Sequence, residues 1–276
     1  MIILPILAVN HRRILSVRLG IKQWVSGLSP LVMLLAHVVA PLPSYALEFP
    51  ATGDRGAPER TAGGGTRGGL CEGGDWMQQS IKALVPTNNV HTFVGDQASL
   101  WVHLLDGFEG KQAEIYVQDI RTQTAVYQEQ MSLGEPYEAS AAVDYSDYRT
   151  ASEGGIIQVD IPALTAEGEP LLAVNQDYYW EFAIICNPND RTQDYTVQGL
   201  MTRLALSNEL SYSLANSPAE QQAELYAEAG IWQETLAITQ SLKPINNQLW
   251  ADLLDSVGLA ALSETPLKEC CSPDVQ

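Results

Sequence analysis

The sequence predicts an antiparallel β-sandwich, immunoglobulin- or fibronectin-like in architecture, followed by a small C-terminal helical region. First, residues 76–206 hold about seven short runs rich in Val, Ile, Tyr and Trp. Second, turn residues such as DGFEG and NPND separate these runs, without helical patterns between them. Third, the hydrophobic period changes from strand-like to helix-like within 207–271.

The predicted strands share β-branched and aromatic residues, and some alternate between apolar and polar positions. They are 81–85, 99–105, 113–120, 124–131, 155–161, 178–186 and 195–206. In the sixth of these, Trp180 and Phe182 share one face while Tyr179 and Glu181 share the other. Gly199 in the last strand predicts a bulge.

Three helices are predicted in 217–229, 231–242 and 246–257. Ser217 and Glu220 have the spacing of a capping box, and Gly230 and Gly258 end the first and third helices. The spacing of Tyr226, Gly230, Trp232 and Leu236 resembles one tetratricopeptide-like hairpin, with Thr235 where Ala is expected. One such unit does not suffice for an independent array, so we expect it to pack on the sandwich or on a partner.

Residues 1–46 have the features of an export signal. Arg12, Arg13, Arg18 and Lys22 precede an uncharged apolar run at 24–40, and no acidic residue occurs before Glu48. Small residues Ser44 and Ala46 then form a cleavage site. We therefore expect a periplasmic or extracellular protein that begins near Leu47 and has no stable membrane span after signal removal; an uncleaved anchor is the alternative.

The next segment, 47–75, is rich in Gly and Pro and is predicted to be a linker. Its GGGTRG run at 63–68 matches the spacing of a dinucleotide loop. That loop needs a strand before it and a helix after it, and neither flank predicts one. Nucleotide binding is therefore not expected, and no cofactor is predicted.

The net charge of the chain limits the kinds of molecule that we expect it to bind. Four of the 15 Lys and Arg residues belong to the signal, which leaves 11 against 33 Asp and Glu, a net charge of −22 after its removal. Phosphate backbones require clustered Lys and Arg, so nucleic acid is excluded as an expected partner.

Four cysteines, Cys71, Cys186, Cys270 and Cys271, lie beyond the signal. In an oxidising compartment their even number favours disulfides over metal ligation. Because a bond between neighbours is strained, we expect Cys270 or Cys271 to pair with Cys71 or Cys186. No C-x-x-C pair supports a zinc or redox site.

Catalytic or metal chemistry has weak sequence support. Only His91 and His103 follow the signal, and His103 shares a strand face with Trp101, which favours a packed or rim position. A hydrolase that combines one of these histidines with acidic residues remains an alternative. The DYSDY run at 144–148 offers calcium ligands but lacks the glycine and distal Glu of an EF-hand loop. No catalytic, cofactor or metal residue is therefore assigned.

The most distinctive polar cluster is CNPNDRTQDYTVQG at 186–199. Asp190 belongs to a turn, and we expect Arg191 and Asp194 to tie the loop to the sheet through charge-assisted hydrogen bonds. As a loop at one end of the sandwich it could instead be a recognition surface. Arg203 beyond it and Arg67 in the glycine run complete this set of candidates.

Five separated segments together resemble a cyanobacterial domain-of-unknown-function family, DUF928. They are GGGTRG with Cys71, WEFAIICNPNDRTQDYTVQG with Arg203, LYAEAGIWQETL, WADLLDSVGL and PLKECC. They occur in the family's order over about residues 60–271. The resemblance implies an exported protein with a β region followed by helices, and it implies no activity or catalytic residue.

The sequence therefore predicts an exported, non-enzymatic interaction or structural module of the cell envelope. We expect its partner to be another envelope protein, bound through the helical tail. Besides the periplasmic hydrolase, a calcium- or glycan-binding envelope module remains an alternative.

Overall fold

The computed structural model describes residues 46–51, 81–105, 108, 111–134, 155–268, 270 and 272–273. The chain divides into two units, Met1–Ser44 and Tyr45–Gln276, and all described residues belong to the second. The strands are β1 (Ile81–Ala83), β2 (Val90–Phe93), β3 (Ala98–Leu104), β4 (Gln112–Asp119), β5 (Thr124–Ser132), β6 (Gly155–Ile161), β7 (Asp177–Ile185), β8 (Tyr195–Arg203), β9 (Leu267–Lys268) and β10 (Ser272–Pro273). The helices are α1 (Asn208–Ala215), α2 (Ala219–Glu228), α3 (Trp232–Leu242) and α4 (Asn247–Ser256).

The strands form two sheets. One has the order β1-β3-β6-β9, and the other has the order β10-β5-β4-β7-β8-β2. Inward residues of both sheets, such as Leu100 and Val159 from the first and Ile115 and Phe182 from the second, belong to one hydrophobic cluster. The two sheets therefore face each other across a shared core, as a β-sandwich requires.

A second hydrophobic cluster lies on the opposite face of the four-stranded sheet. There Trp101 of β3 and Ile156 of β6 pack with Trp232, Leu236 and Trp250 of the helices. These five side chains are at most 4% exposed. The described region therefore has three layers: the six-stranded sheet, the four-stranded sheet and the helices. The expectation that the helices pack on the sandwich is met by this second cluster.

Hydrogen bonds fix the helices to the strands. The Thr92 hydroxyl donates to the Gly230 carbonyl (2.6 Å) and accepts from the Trp232 amide (2.9 Å). The Trp232 indole N–H donates to the Leu84 carbonyl (2.8 Å). Both ends of the turn between α2 and α3 are thus bonded to the strand region. The AGIWQE segment therefore serves to dock the helices.

Residues directly after the predicted signal also pack in the helical layer. Leu47 and Phe49 are buried in the second cluster, and the Phe49 ring meets the Trp232 ring edge-on at 5.0 Å. The Phe49 amide donates to Ser256 Oγ (3.1 Å). The first residues of the predicted linker are therefore packed, while 52–75 lies outside the described residues.

Two strand pairs contradict the prediction of a wholly antiparallel sandwich. β2 pairs with β8 in parallel, and β6 pairs with β9 in parallel. β2 and β9 were not predicted as strands. All four residues of β2 are buried, so its sequence shows no alternation, and β9 has only two residues.

The predicted bulge at Gly199 is wrong. β7 and β8 keep an unbroken register through the pair Trp180–Gly199, and the register shift lies between Val117 and Gln118 in the β4–β5 pair. A Cβ at Gly199 would lie 2.9 Å from both the Asn89 carbonyl oxygen and Trp180 Cζ2. The glycine is therefore required by a close approach of neighbouring groups.

The predicted capping box is also wrong, because Ser217 is occupied elsewhere. Its hydroxyl donates to the Ser213 carbonyl (2.8 Å) at the end of α1, and Pro218 is the N-cap of α2 without a side-chain cap. α1, which the sequence did not predict, buries only Leu214 and has Ser207 as its N-cap. A helix with so small an apolar face gives little periodic signal.

The predicted helix ends at Gly230 and Gly258 are confirmed. Both glycines have positive φ, 67° and 74°. In each case the next residue donates back into the last turn, from Ile231 to Tyr226 (2.9 Å) and from Leu259 to Leu254 (2.7 Å). These are the hydrogen bonds of Schellman caps.

Candidate functional site

The predicted polar loop is held by its own side chains. Asp190 accepts from the Thr192 amide (3.2 Å) and from Gln193 Nε2 (2.9 Å), which closes a short 3₁₀ turn at Arg191–Gln193. The Thr192 hydroxyl also donates to Asp190, and this bond, followed by those from Gln193 and the Thr192 amide, holds the pKa of Asp190 below its usual value. The amide of Asn189 donates to Asn187 Oδ1 (2.9 Å). The loop is therefore ordered by Asx-type turns, as the NPND composition indicates.

Arg191 connects this loop to the six-stranded sheet. Its guanidinium pairs with Asp194 through Nε and with Glu114 of β4 through Nη2 (3.1 Å). Asp194 also accepts from the Cys186 amide (3.2 Å), and its side chain is only 4% exposed. Arg191 and Asp194 therefore connect the loop to the sheet through charge-assisted hydrogen bonds, and Arg191 lies beside Glu114 at the edge of the outer sheet surface.

The other two candidate arginines do not join this loop. Arg203 lies at the far end of β8, where it donates to the Leu172 carbonyl (3.1 Å) and pairs with Asp96. Arg67 lies outside the described residues, as do Cys71, Cys271 and the DYSDY run. The five polar candidates therefore do not form one site within the described part of the chain.

The two histidines lie in different sheets. His91 of β2 is fully buried, and its Nε2 is 3.2 Å from Gln233 Oε1, which also accepts from the Ser99 amide (2.8 Å). Burial, opposed in part by the hydrogen bond to Gln233, lowers the pKa of His91 to about 4. His103 of β3 is half-buried beside Lys82, and burial followed by this positive charge lowers its pKa.

Glu234 lies next to this histidine site. It accepts from the amides of Val94 and Gly95 (both 3.0 Å), and burial raises its pKa despite these bonds. Like Gln233, it belongs to the first turn of α3 and bonds the segment between β2 and β3. This cluster therefore docks α3 and, in the described residues, gives no carboxylate–histidine pair for catalysis.

Of the four cysteines, Cys186 and Cys270 are described, and neither is a free thiol. Both pack against the core between the sheets. The pairing of Cys71 or Cys186 with Cys270 or Cys271 stays a prediction.

The sequence did not single out the most developed polar surface, which is the outward side of the six-stranded sheet. We call it the polar face and define it by the outward side chains of four adjacent strands. These are Glu114, Tyr116 and Gln118 of β4, Gln128 and Gln130 of β5, Tyr179 and Glu181 of β7, and Gln198 of β8. They alternate with inward core residues such as Ile115 and Phe182.

Strand register arranges these side chains in rows. One row crosses four strands as Gln128, Tyr116, Glu181 and Gln198. At the usual separation of neighbouring strands it spans about 14 Å. Gln128 is exposed, and the other three are half-buried. The row therefore presents a ring, a carboxylate and two amides on one surface.

Hydrogen bonds order the polar face. The Tyr179 hydroxyl lies 2.8 Å from Glu181 Oε2 and 2.6 Å from Gln198 Oε1. Burial, together with the bond to Glu181, raises the pKa of Tyr179, so its hydroxyl stays protonated at neutral pH. Tyr116 has no hydrogen-bond partner among the residues that the structure describes.

Glu114 is the centre of a second group of hydrogen bonds on the polar face. It accepts from Gln130 Nε2 (2.9 Å), Gln128 Nε2 (3.1 Å) and Arg191 Nη2 (3.1 Å). Burial of the carboxylate opposes ionisation, but these three donors outweigh it and lower the pKa of Glu114. Glu114 is therefore an ionised, fully engaged group at neutral pH, and it fixes the side chains around it.

Neither a metal site nor a membrane-spanning helix is found among the residues that the structure describes. No group of three or more His, Cys, Asp or Glu side chains is arranged there to hold a metal ion. Among the helices that the structure describes, none has the length and apolar character needed to cross a membrane.

Comparison with known proteins identifies a family and no activity. No curated protein and no solved structure matches the chain significantly. Residues 62–267, about three quarters of the chain, match the family described as Domain of Unknown Function (DUF928). This match covers the sandwich, the polar loop and the helices, and the chain therefore belongs to the DUF928 family.

Proposed function

We propose that the protein is an exported, non-enzymatic binding module of the cell envelope, and that the polar face is its binding surface. The observation that carries this proposal is the contrast between two sheet surfaces. The helices cover the outer side of the four-stranded sheet, whereas the polar face presents exposed and half-buried groups from four strands. An ordered surface of amides, carboxylates and tyrosines has the features of a recognition site.

Two features support export. The described residues beside the predicted cleavage site are an exposed Ala46 and a buried Leu47, which suits a mature chain that starts near Leu47. Neither described cysteine is a free thiol, which suits an oxidising compartment. The proposal includes a disulfide between Cys71 or Cys186 and Cys270 or Cys271, and a cyanobacterial origin. It also includes the immunoglobulin-like and tetratricopeptide-like character of the two regions.

The hydrolase, calcium-binding and helical-tail alternatives draw less support. A hydrolase needs a histidine near a carboxylate or nucleophile, but His91 hydrogen-bonds the Gln233 amide inside the protein. The predicted calcium run at 144–148 lies outside the described residues. Binding through the helical tail competes with its packing on the four-stranded sheet, although Tyr212 and Ile245 of that region are 74% and 83% exposed.

Hydroxyl-radical footprinting on isolated cell envelopes tests the proposal. We expect envelopes to reduce the modification of Tyr116 and Tyr179 on the polar face. The exposed Tyr212 on α1 is the internal control, and its modification should not change. Equal modification of Tyr116 with and without envelopes, or protection of Tyr212 alone, would reject the polar face as the binding surface.

A further inference from the structure

We infer that the ligand of the polar face is a linear, neutral glycan that lies across the strands along the Gln128–Tyr116–Glu181–Gln198 row. This inference rests on the proposed function and specifies its ligand class.

The groups on the polar face match the chemistry of sugars. Each sugar ring offers hydroxyls that both donate and accept, together with C–H groups that pack on aromatic rings. The amides of Gln128 and Gln198 can donate and accept, and the Glu181 carboxylate accepts. The half-buried Tyr116 ring supplies an apolar contact on the same row. One row therefore combines both kinds of contact.

Charge argues against an anionic ligand. Glu114 and Glu181 are acidic, and Arg191 is already shared between Glu114 and Asp194. The chain as a whole carries a formal charge of −18. Acidic polysaccharides and nucleic acids would be repelled by this field, whereas a neutral glycan would not.

The composition of the row also disfavours a protein partner. Protein interfaces bury a central patch that is depleted in charged residues and anchored by large apolar or Arg side chains. The centre of the polar face instead holds Tyr116 beside Glu181, with amides on either side. Burying Glu181 under a protein would require a new partner for its charge. A hydrated glycan leaves that carboxylate in contact with hydroxyls and water.

The row is preorganised for such a ligand. The Tyr179 hydroxyl contacts Glu181 and Gln198, and Glu114 holds Gln128. These bonds reduce the side-chain freedom that binding would otherwise remove. The Tyr116 hydroxyl has no hydrogen-bond partner among the residues that the structure describes.

Affinity electrophoresis and calorimetry with defined sugars test the inference. The protein used is the full chain, expressed with its own N-terminal segment and purified after secretion. The probes are the neutral linear hexasaccharides of β-1,4-glucose, β-1,3-glucose, β-1,4-xylose and β-1,4-N-acetylglucosamine, with polygalacturonate as the anionic comparison. We expect saturable binding to at least one neutral probe and none to polygalacturonate. Tyr116→Ala should weaken the binding at least tenfold, as should Gln128→Ala, which removes an exposed side chain. The control Tyr212→Ala should leave it unchanged.

The outcomes separate this inference from the proposed function. The ligand class is wrong if no neutral probe binds, or if Tyr116→Ala and Tyr212→Ala bind alike. If envelopes still protect Tyr116 in the footprinting experiment, the binding module stands and its ligand is of another class. If Tyr116 is not protected there either, the binding module falls together with its ligand.

Discussion

The two sheets of this protein bury their outer surfaces to different extents. On the four-stranded sheet, Trp101 and Ile156 are covered by helices and belong to a second core. On the six-stranded sheet, the corresponding outward positions hold the amides, carboxylates and tyrosines of the polar face. An apolar sheet surface is covered by other elements, whereas an antiparallel sheet can keep one polar surface in contact with water. We propose that the polar surface of this protein binds a ligand. The predictions below test this division of roles.

The largest effect is expected at the covered surface. Trp232→Ala removes a fully buried indole, its hydrogen bond to the Leu84 carbonyl and its ring contact with Phe49. We expect a loss of about 3–5 kcal/mol in the free energy of unfolding, measured by urea denaturation. The control Tyr212→Ala, at an exposed position, should change it by less than about 0.5 kcal/mol. Similar losses in both variants would mean that the helical layer does not stabilise the sheet.

A pH dependence comes from the same side of the molecule. The pKa of His91 is about 4 in the folded protein and 6.5 when unfolded, so the unfolded state binds more protons between these values. Stability is therefore full above pH 6.5 and falls as the pH drops towards 4, by roughly 3 kcal/mol.

Denaturation curves of the wild type and His91→Gln across this pH range measure the effect. The variant keeps an amide for Gln233 but cannot be protonated, so it should lose this dependence. Glu234 has a raised pKa and acts in the opposite direction, but it is present in both proteins and cancels in the difference. Parallel curves for the two proteins would show that His91 does not carry the dependence.

A smaller loss of stability is expected at Gly199 of β8, where the backbone lies close to a neighbouring carbonyl group and side chain. Gly199→Ala places a Cβ 2.9 Å from the Asn89 carbonyl oxygen and from Trp180. We expect a loss of about 1–3 kcal/mol from overpacking, measured by thermal unfolding. Gly95→Ala is the matched control, because its nearest contacts lie at 3.6 Å. A fully tolerated Gly199→Ala would contradict the close approach between β7, β8 and Asn89.

The smallest loss of stability is expected at the polar face. Arg191→Ala removes one donor from Glu114 and one from Asp194, and we expect a cost of about 1–2 kcal/mol. Because the folded pKa of Glu114 is lowered, its contribution is present above its unfolded pKa near 4.5 and is lost as the pH falls below that.

The same variant should therefore show a weaker acid dependence below pH 4.5. Unfolding curves of the wild type, Arg191→Ala and the control Arg121→Ala measure this. Arg121 is 72% exposed and 3.8 Å from Asp119, so its removal should cost less than about 1 kcal/mol. An acid dependence in Arg191→Ala that matches the wild type would separate Arg191 from the ionisation of Glu114.

The sequence predicted those elements whose hydrophobic period is visible. β1 and β3 to β8 lie within a few residues of the predicted strands, because apolar residues such as Leu100 of β3, Val159 of β6 and Trp180 of β7 mark an inward side. β2 was missed because all its residues are buried, so its sequence does not alternate between apolar and polar positions. α1 was missed because Leu214 is its one buried residue, so no helical period is visible. The helix ends at Gly230 and Gly258 were found because left-handed caps require glycine there.

The polar face could not be read from the sequence for a different reason. Its residues come from four strands, and no local pattern fixes how Tyr116 is placed relative to Glu181 or Gln198. That placement depends on strand register, which is a property of the folded sheets. The alternation of Tyr179 and Glu181 with Trp180 was visible, but one strand does not define a surface.

The division of roles between the two sheet surfaces is tested most directly by Tyr116→Ala, with envelope co-sedimentation and thermal unfolding measured on the same preparation. The substitution removes a half-buried ring from the polar face and leaves both hydrophobic clusters intact. We predict a melting temperature within a few degrees of the wild type, from a stability change of about 1 kcal/mol or less, together with loss of sedimentation with envelopes. Wild-type sedimentation by a folded Tyr116→Ala protein would contradict the account.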